Sequence, residues 1–403
     1  MRRSRWAVDE VKHASGRLRG GAVGALLALA ACQLAACQLA TAAPPARLAN
    51  ERGDAPPRYR DGMPAPPPLP SLPTPSLTSE PPGPLASRPS DQLWMVSCRG
   101  LKATDREHDF TRLAYWRYVT PSGWVASTRD AYLMSGGSVS GTSVFVPGNG
   151  YTSNQARDLG GVAYRRLVAA APSDPLRFVI WAWPSDHINA GPVQDARVKA
   201  TRTTLAAWYL ARWLDDLEPL GNVSIIGCSF GARVVGEALQ LRGGGRLGSY
   251  QLTEPAATRS PLRVVLVSAA IDNDWLLPGH RLGRALTHVE RMLLVNNTSD
   301  SILRRYGWLY GRRNAAAALG YTGLIGTGRL GHDASKVRQI DATSIVGRRH
   351  GFLYYFSVPR IVGWMQPYVF TTSGSAASEI AAQQVNHRRS GTSARSPVSA
   401  ANR

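Results

Sequence analysis

The sequence predicts an α/β fold, a doubly wound and mostly parallel sheet with helices on both faces, and three observations carry that expectation. Short apolar runs alternate with longer helical stretches from residue 143 onward. Several of those runs are rich in β-branched residues, as buried strands are. A pentapeptide with a glycine at each end sits directly between one such run and a helical stretch.

In chain order, residues 93–98, 115–119 and 124–126 read as short leading strands. Residues 143–146 form an apolar strand that ends at Pro147-Gly148-Asn149-Gly150. A helix is expected over 154–170, with Ala156, Leu159, Ala163, Leu167 and Val168 near one stripe. Residues 176–183 give the next strand, and 192–217 a long helix that turns Ala206, Leu210, Trp213, Leu214 and Leu217 inward. Residues 223–226, 264–267 and 292–295 read as buried strands, and 337–341 as a weaker last one. In sheets wound this way, chemistry gathers outside the carboxyl ends of the strands.

The ends of the chain read differently. Arg2, Arg3, Arg5, Lys12, Arg17 and Arg19 precede a small apolar run over 21–31, the pattern of a signal peptide and too short for a membrane span. Leu29-Ala30-Ala31-Cys32 and Leu34-Ala35-Ala36-Cys37 each resemble a bacterial lipobox. Lipidation of Cys32 or Cys37 would hold the exported protein at a membrane of the cell envelope. Cleavage after Ala40-Thr41-Ala42 is the alternative, and gives a soluble secreted or periplasmic product. The organisation is therefore read as a targeting region over 1–42, a Pro-rich disordered linker over 43–90, the folded domain over 91–371 and a disordered tail over 372–403. A polyproline-like linker of that length, at about 3.1 Å per residue, reaches on the order of 100 Å.

Hydrophobic residues make up 44% of the chain and tryptophan occurs 11 times, enough for one large core with aromatic side chains left for a pocket. Cys98 and Cys228 fall in two separate predicted strands, and both are expected as buried thiols rather than as a disulfide.

Gly227-Cys228-Ser229-Phe230-Gly231 matches G-x-S-x-G. The pentapeptide is weak evidence by itself, but it follows the strand over 223–226 and opens a helix over 232–239, the strand-turn-helix setting of a nucleophile elbow. A serine hydroxyl becomes nucleophilic only when a base takes its proton, so a carboxylate and a histidine should follow in that order. Asp300 lies in the loop leaving the strand over 292–295, and Asp272 and Asp274 in the preceding loop are its rivals. His350 follows the last strand and precedes the apolar segment 352–362, whereas His332 sits in a Gly-rich stretch and His387 in the tail. The oxyanion donors expected are the backbone amides of Phe230 and of Asn149.

Together these segments resemble the α/β-hydrolase superfamily, and within it a poorly characterised bacterial group. That group reads His-Gly-Tyr-Asn after an early strand, then Trp-Pro-Ser-Asp, a long helix, and His-Ser-Met-Gly at the elbow. Phe145-Val146-Pro147-Gly148-Asn149-Gly150-Tyr151 parallels the first and Trp181-Ala182-Trp183-Pro184-Ser185-Asp186 the second. Residues 269–274 and 300–303 are similar to its later segments, and the likeness covers roughly residues 140–365. The resemblance implies an α/β-hydrolase fold and a triad of Ser229, Asp300 and His350. Pro147 stands where the group carries a histidine.

The formal charge of +20 comes almost wholly from scattered arginines, with no helix-turn-helix, zinc-finger or RNA-binding signature beside them. No nucleic-acid partner is expected, and an anionic lipid surface suits the charge better. The sequence holds neither a metal-ligand cluster nor a dinucleotide fingerprint, and triad hydrolysis needs no cofactor, so none is expected. Residues 275–289 and 303–331 are insertions that could cover the site. The second holds Tyr306, Trp308, Tyr310 and Tyr321 among Arg304, Arg305, Arg312 and Arg313, which suits either an acyl chain beside an anionic head group or a solvated lid. The expected activity is hydrolysis of a small-molecule or lipid ester, lipase-like or thioesterase-like. A catalytically silent envelope lipoprotein that binds a lipid or protein, and a peptidase on the same framework, are the alternatives.

Overall fold

Nine strands pair in one sheet in a computed structural model that describes residues 87–370 other than 102–111, 170, 172, 190, 191, 216, 218–221, 254–258 and 310–315. Cys32, Cys37, the signal region, the linker up to residue 86 and the tail from residue 371 lie outside the described residues. The strands are β1 (Gln92–Ser97), β2 (Ala114–Val119), β3 (Gly123–Ser127), β4 (Gly141–Val146), β5 (Leu176–Ala182), β6 (Val223–Cys228), β7 (Leu262–Val267), β8 (Val289–Asn296) and β9 (Val337–Asp341). Their order is β3-β2-β1-β5-β4-β6-β7-β8-β9. From β1 to β9 every neighbouring pair is parallel. β2 and β3 form an antiparallel meander with β1 at one edge. This is the doubly wound, mostly parallel α/β-hydrolase architecture expected from the sequence.

Side chains on successive strand residues point to opposite faces, so a strand covered on both sides must be apolar at both parities. β5 shows it: Val179 and Trp181 enter one core, while Phe178 and Ile180 enter the other. β7 divides likewise, with Leu262, Val264 and Leu266 on one face and Val265 and Val267 on the other. The main helices are α1 (Arg129–Met134), α2 (Ser153–Val168), α3 (Pro192–Asp215), α4 (Phe230–Arg242), α5 (Phe352–Phe356) and α6 (Pro359–Val369). α3 and α4 supply Trp213, Leu214, Val234 and Leu239 to the first core, while α2, α5 and α6 supply Leu167, Phe356 and Met365 to the second. On the first face the indole of Trp213 packs 5.3 Å from Trp181 and 5.6 Å from Tyr132, centroid to centroid.

Three local differences from the sequence reading have physical causes. α4 starts at Phe230, immediately after the serine, and runs to Arg242, because all of its residues are buried and no polar face marks its ends. The apolar segment 352–362 after His350, given no element above, falls in two helices. Pro359 opens the second at its first turn, where a missing N–H costs nothing, and the chain breaks at Ser357-Val358. Arg88, inside the stretch read as linker, donates from its backbone N–H to the Tyr164 hydroxyl at 3.0 Å and from its guanidinium to Asp91 at 2.7 Å.

Cys98 and Cys228 are free and buried, and burial pushes the Cys98 thiol up to about 12 and raises Cys228 as well. Among the described residues no helix is long and apolar enough to cross a membrane. The winding direction reverses at β4, since the chain passes from β4 to β5 on one side and reaches β6 on the other. A crevice opens at such a reversal, outside the carboxyl ends of β4 and β6.

Candidate active site

Ser229 stands at that reversal, directly after β6. It has φ 53° and ψ −119°, a conformation unfavourable for any residue with a side chain, at a cost of about 1–3 kcal/mol. Its surroundings over-determine it. The Ser229 N–H donates to the Val267 carbonyl at 3.0 Å, and the Ser229 carbonyl accepts from Ala232 at 3.1 Å and Ala270 at 3.2 Å. The flanking glycines are demanded by close backbone approach. A Cβ at Gly227 would lie 2.7 Å from the Ala232 Cα, and one at Gly231 would meet the Pro147 carbonyl oxygen at 2.5 Å.

Two distant loops bring the other side chains to the serine. His350 Nε2 lies 2.9 Å from Ser229 Oγ, and His350 Nδ1 lies 2.7 Å from Asp300 Oδ2. An ionised carboxylate only accepts, so Nδ1 carries the hydrogen and Nε2 is left to accept from the serine hydroxyl. Asp300 has no exposed side-chain surface. Its Oδ1 accepts from the N–H groups of Ile302 and Leu303, both at 2.9 Å, which fixes the carboxylate plane. Burial disfavours the charged imidazole, but the Asp300 charge and hydrogen bond outweigh it, and the His350 pKa stands above its ordinary 6.5.

The loops carrying Asp300 and His350 are bolted to each other. Asn297, fully buried, donates from Nδ2 to the carbonyls of Gly347 at 2.7 Å and Arg349 at 3.3 Å. The Ser301 N–H donates to the Arg348 carbonyl at 3.2 Å. Behind them Ser268, itself at φ 45°, donates to the Tyr355 hydroxyl at 2.6 Å. Sequence reasoning missed Asn297. Its only signal is its place, directly after β8 and three residues before Asp300.

The loop after β4 lies against the serine. A Cβ built on Gly148 would sit 3.3 Å from both the Ser229 Cβ and the Cys228 carbonyl oxygen. Trp183 Nε1 donates to the Pro147 carbonyl at 2.8 Å, and the Gly150 N–H donates to Ser185 at 2.8 Å, so this loop is tied to the one after β5. Asn149 follows Gly148, with its Nδ2 3.2 Å from Asp195 Oδ2. Phe230, the residue after the serine, opens α4.

The rival residues are engaged elsewhere. Asp272 accepts from the Tyr306 hydroxyl at 2.8 Å, Asp274 pairs with His280 at 3.2 Å, and His332 is exposed beside Asp333. His387 lies outside the described residues. Residues 275–289, one of the two segments thought able to cover the site, pack along the flank of α4. Leu282 meets Gly236 there, the Arg284 N–H donates to Gln240, and Trp275 lies 5.1 Å from both the Arg233 and Arg281 guanidinium carbons. The described part of 303–331 hydrogen-bonds to the loop after β7, through Leu319 to Ile271 at 2.7 Å and Asn273 to Ala317 at 2.9 Å. Among the described residues no group of His, Cys, Asp and Glu is arranged to hold a metal ion.

No family model and no curated protein matches the chain. Among solved structures it is similar to an acetyl xylan esterase in an iodinated complex, with 11% identity, 57% of this chain and 98% of that chain covered, and a TM-score of 0.32. A cutinase-like protein from Cryptococcus sp. gives 17% identity, coverage of 57% and 91%, and a TM-score of 0.29. Esterase B from Lactobacillus rhamnosis, inhibited by a tributyrin phosphonate, gives 13%, 73%, 88% and 0.33.

The raised His350 pKa sets opposite trends. The protonated imidazole is favoured in the folded state, so the stability it contributes is complete below pH 6.5 and is lost as pH rises through the folded value. If His350 acts as a general base it must be neutral to do so, and the acid limb of a kcat/KM profile should then lie above pH 6.5. In Asp300→Asn, burial acts on the imidazole unopposed and the limb should move to lower pH, with kcat down by about 10⁴-fold. An unmoved limb in a folded variant would show that Asp300 does not govern His350.

Proposed function

We propose that the chain is an exported serine hydrolase that cleaves carboxylic esters through an acyl-enzyme. One observation carries the reading: a single, partly buried imidazole bonds a strained serine through one nitrogen and a buried carboxylate through the other. In this reading Ser229 Oγ attacks the ester carbonyl carbon as its proton passes to His350 Nε2. The backbone amides of Phe230 and Asn149 hold the oxyanion of the tetrahedral intermediate. Collapse breaks the carbon–oxygen bond, and the leaving alkoxide takes the proton from Nε2. Water then repeats the sequence on the acyl-serine and releases the acid. Asp300 stays ionised throughout, holding the imidazole in one tautomer.

A small-molecule or lipid ester suits this machinery, and a thioester would follow the same course with a thiolate leaving group. The lipobox-like cysteines and the arginine-rich leader support a lipoprotein held at the cell envelope through Cys32 or Cys37. Electrospray mass measurement of protein recovered from its native membrane should then give an N-terminal cysteine carrying acyl chains. A mature chain that begins after Ala42 without lipid would identify a soluble product instead.

The activity is tested with a fluorophosphonate probe and a series of p-nitrophenyl esters of increasing chain length. The probe should mark Ser229 and no other serine, and Ser229→Ala should abolish labelling and lower kcat by on the order of 10⁶-fold. Absence of labelling in the folded wild-type chain would point to a silent scaffold, and turnover of amides in preference to esters to a peptidase.

A further inference from the structure

We propose that Asp195, paired with Lys199, is a positioning residue that fixes the 147–149 loop against Ser229 and so aims the Asn149 amide at the oxyanion. The inference rests on the esterase reading above. Asp195 lies in the first turn of α3, and its side chain is 7% exposed, while that of Lys199 is fully buried. One carboxylate serves three partners on three parts of the chain. Oδ1 accepts from Lys199 Nζ at 2.6 Å and from the Ile188 N–H, in the loop after β5, at 2.9 Å. Oδ2 accepts from Asn149 Nδ2, in the loop after β4, at 3.2 Å.

The Asn149 tether is specific. The other amide atom, Oδ1, is buried without a hydrogen-bond partner, so the bond to Asp195 is what orients this side chain. Next to Asn149, Gly148 lies close against the serine residue, since a methyl group there would come within 3.3 Å of the Ser229 Cβ, a tight contact. A donor held this close to the nucleophile gains or loses its bond to the oxyanion with a displacement of about an ångström.

A buried ion pair is a costly way to fill space, because both charges lose their hydration, and an apolar pair of the same volume would pack at least as well. What the pair supplies is an acceptor that stays ionised. Burial raises the Asp195 pKa, but the bonds from Lys199, Ile188 and Asn149 outweigh it and leave the carboxyl below its ordinary value. An ionised carboxylate accepts at every lone pair, so no rotation turns a donor toward Asn149.

The test uses the full mature chain and turnover of p-nitrophenyl acetate per Ser229, counted by labelling to completion with a fluorophosphonate. Asp195→Asn and Asn149→Ala should each lower kcat per labelled site by about ten- to a hundredfold with little change in KM. Asn149→Ala keeps the backbone donor and the Asp195–Lys199 pair, so it carries the test if Asp195→Asn does not fold. Affinity for an alkyl boronic acid, whose serine adduct is tetrahedral and anionic, should fall by the same factor as kcat. The double variant should be no slower than the worse single one, as for two parts of one device. Full turnover per labelled site in folded Asn149→Ala, losses that multiply in the double variant, or unchanged boronate affinity would overturn the inference and leave the esterase reading standing. A wild-type chain inert to both probe and ester would overturn the two together.

Discussion

His350 must reach two partners at once, and the two are 121 and 50 residues away from it in the chain. Neither bond tolerates much error, since hydrogen bonds weaken steeply once their geometry slips. The parallel sheet answers this by ending β6, β8 and β9 along one edge, so that the loops following them leave side by side. Register makes the placement reproducible: Cys228 pairs with Val267, Val295 with Ile340, and Asn296 with Asp341. Loops alone do not hold such tolerances. Asn297 therefore staples the loop carrying Asp300 to the loop carrying His350, and the Val267 and Ala270 backbones clamp the serine in a conformation it would otherwise leave.

The basic composition acquires a structural meaning inside the domain. Arg242 and Arg259 both pair with Asp215, Arg233 and Arg281 both pair with Glu237, and the guanidinium of Arg177 lies 4.5 Å from the Tyr132 ring. Arginine suits these sites because its planar fork keeps several hydrogen bonds with little loss of freedom and stacks on aromatic faces. Part of the positive charge is therefore paired with carboxylates or stacked on a ring within the domain.

Much of the architecture was legible in the sequence because it depends on local pattern. The apolar runs that became β6, β7 and β8 put apolar residues at both parities, and only a strand covered on both faces needs that. The serine was legible from its setting between a strand and a helix, and Asp300 and His350 from chain order. The supporting residues were not. Asp195 and Lys199 stand four apart on a helix, a spacing that usually marks a solvated pair, yet both side chains are buried and the carboxylate also accepts from Asn149 and from the Ile188 N–H. Residues 275–289 carry Leu276, Leu277, Leu282 and Leu286 without helical or alternating period, because they enter the core through successive turns. Pattern reads elements, and these roles are made by the meeting of elements.

In the proposed reading three loops converge on one reacting centre. A crystal structure of the protein after reaction with an alkyl phosphonate tests it most directly. The account predicts phosphorus bonded to Ser229 Oγ, the phosphoryl oxygen within hydrogen-bonding distance of the Phe230 and Asn149 amides, and His350 still bonded to Asp300. Phosphorus on another residue, or a phosphoryl oxygen turned away from both amides with the imidazole parted from its carboxylate, would contradict it.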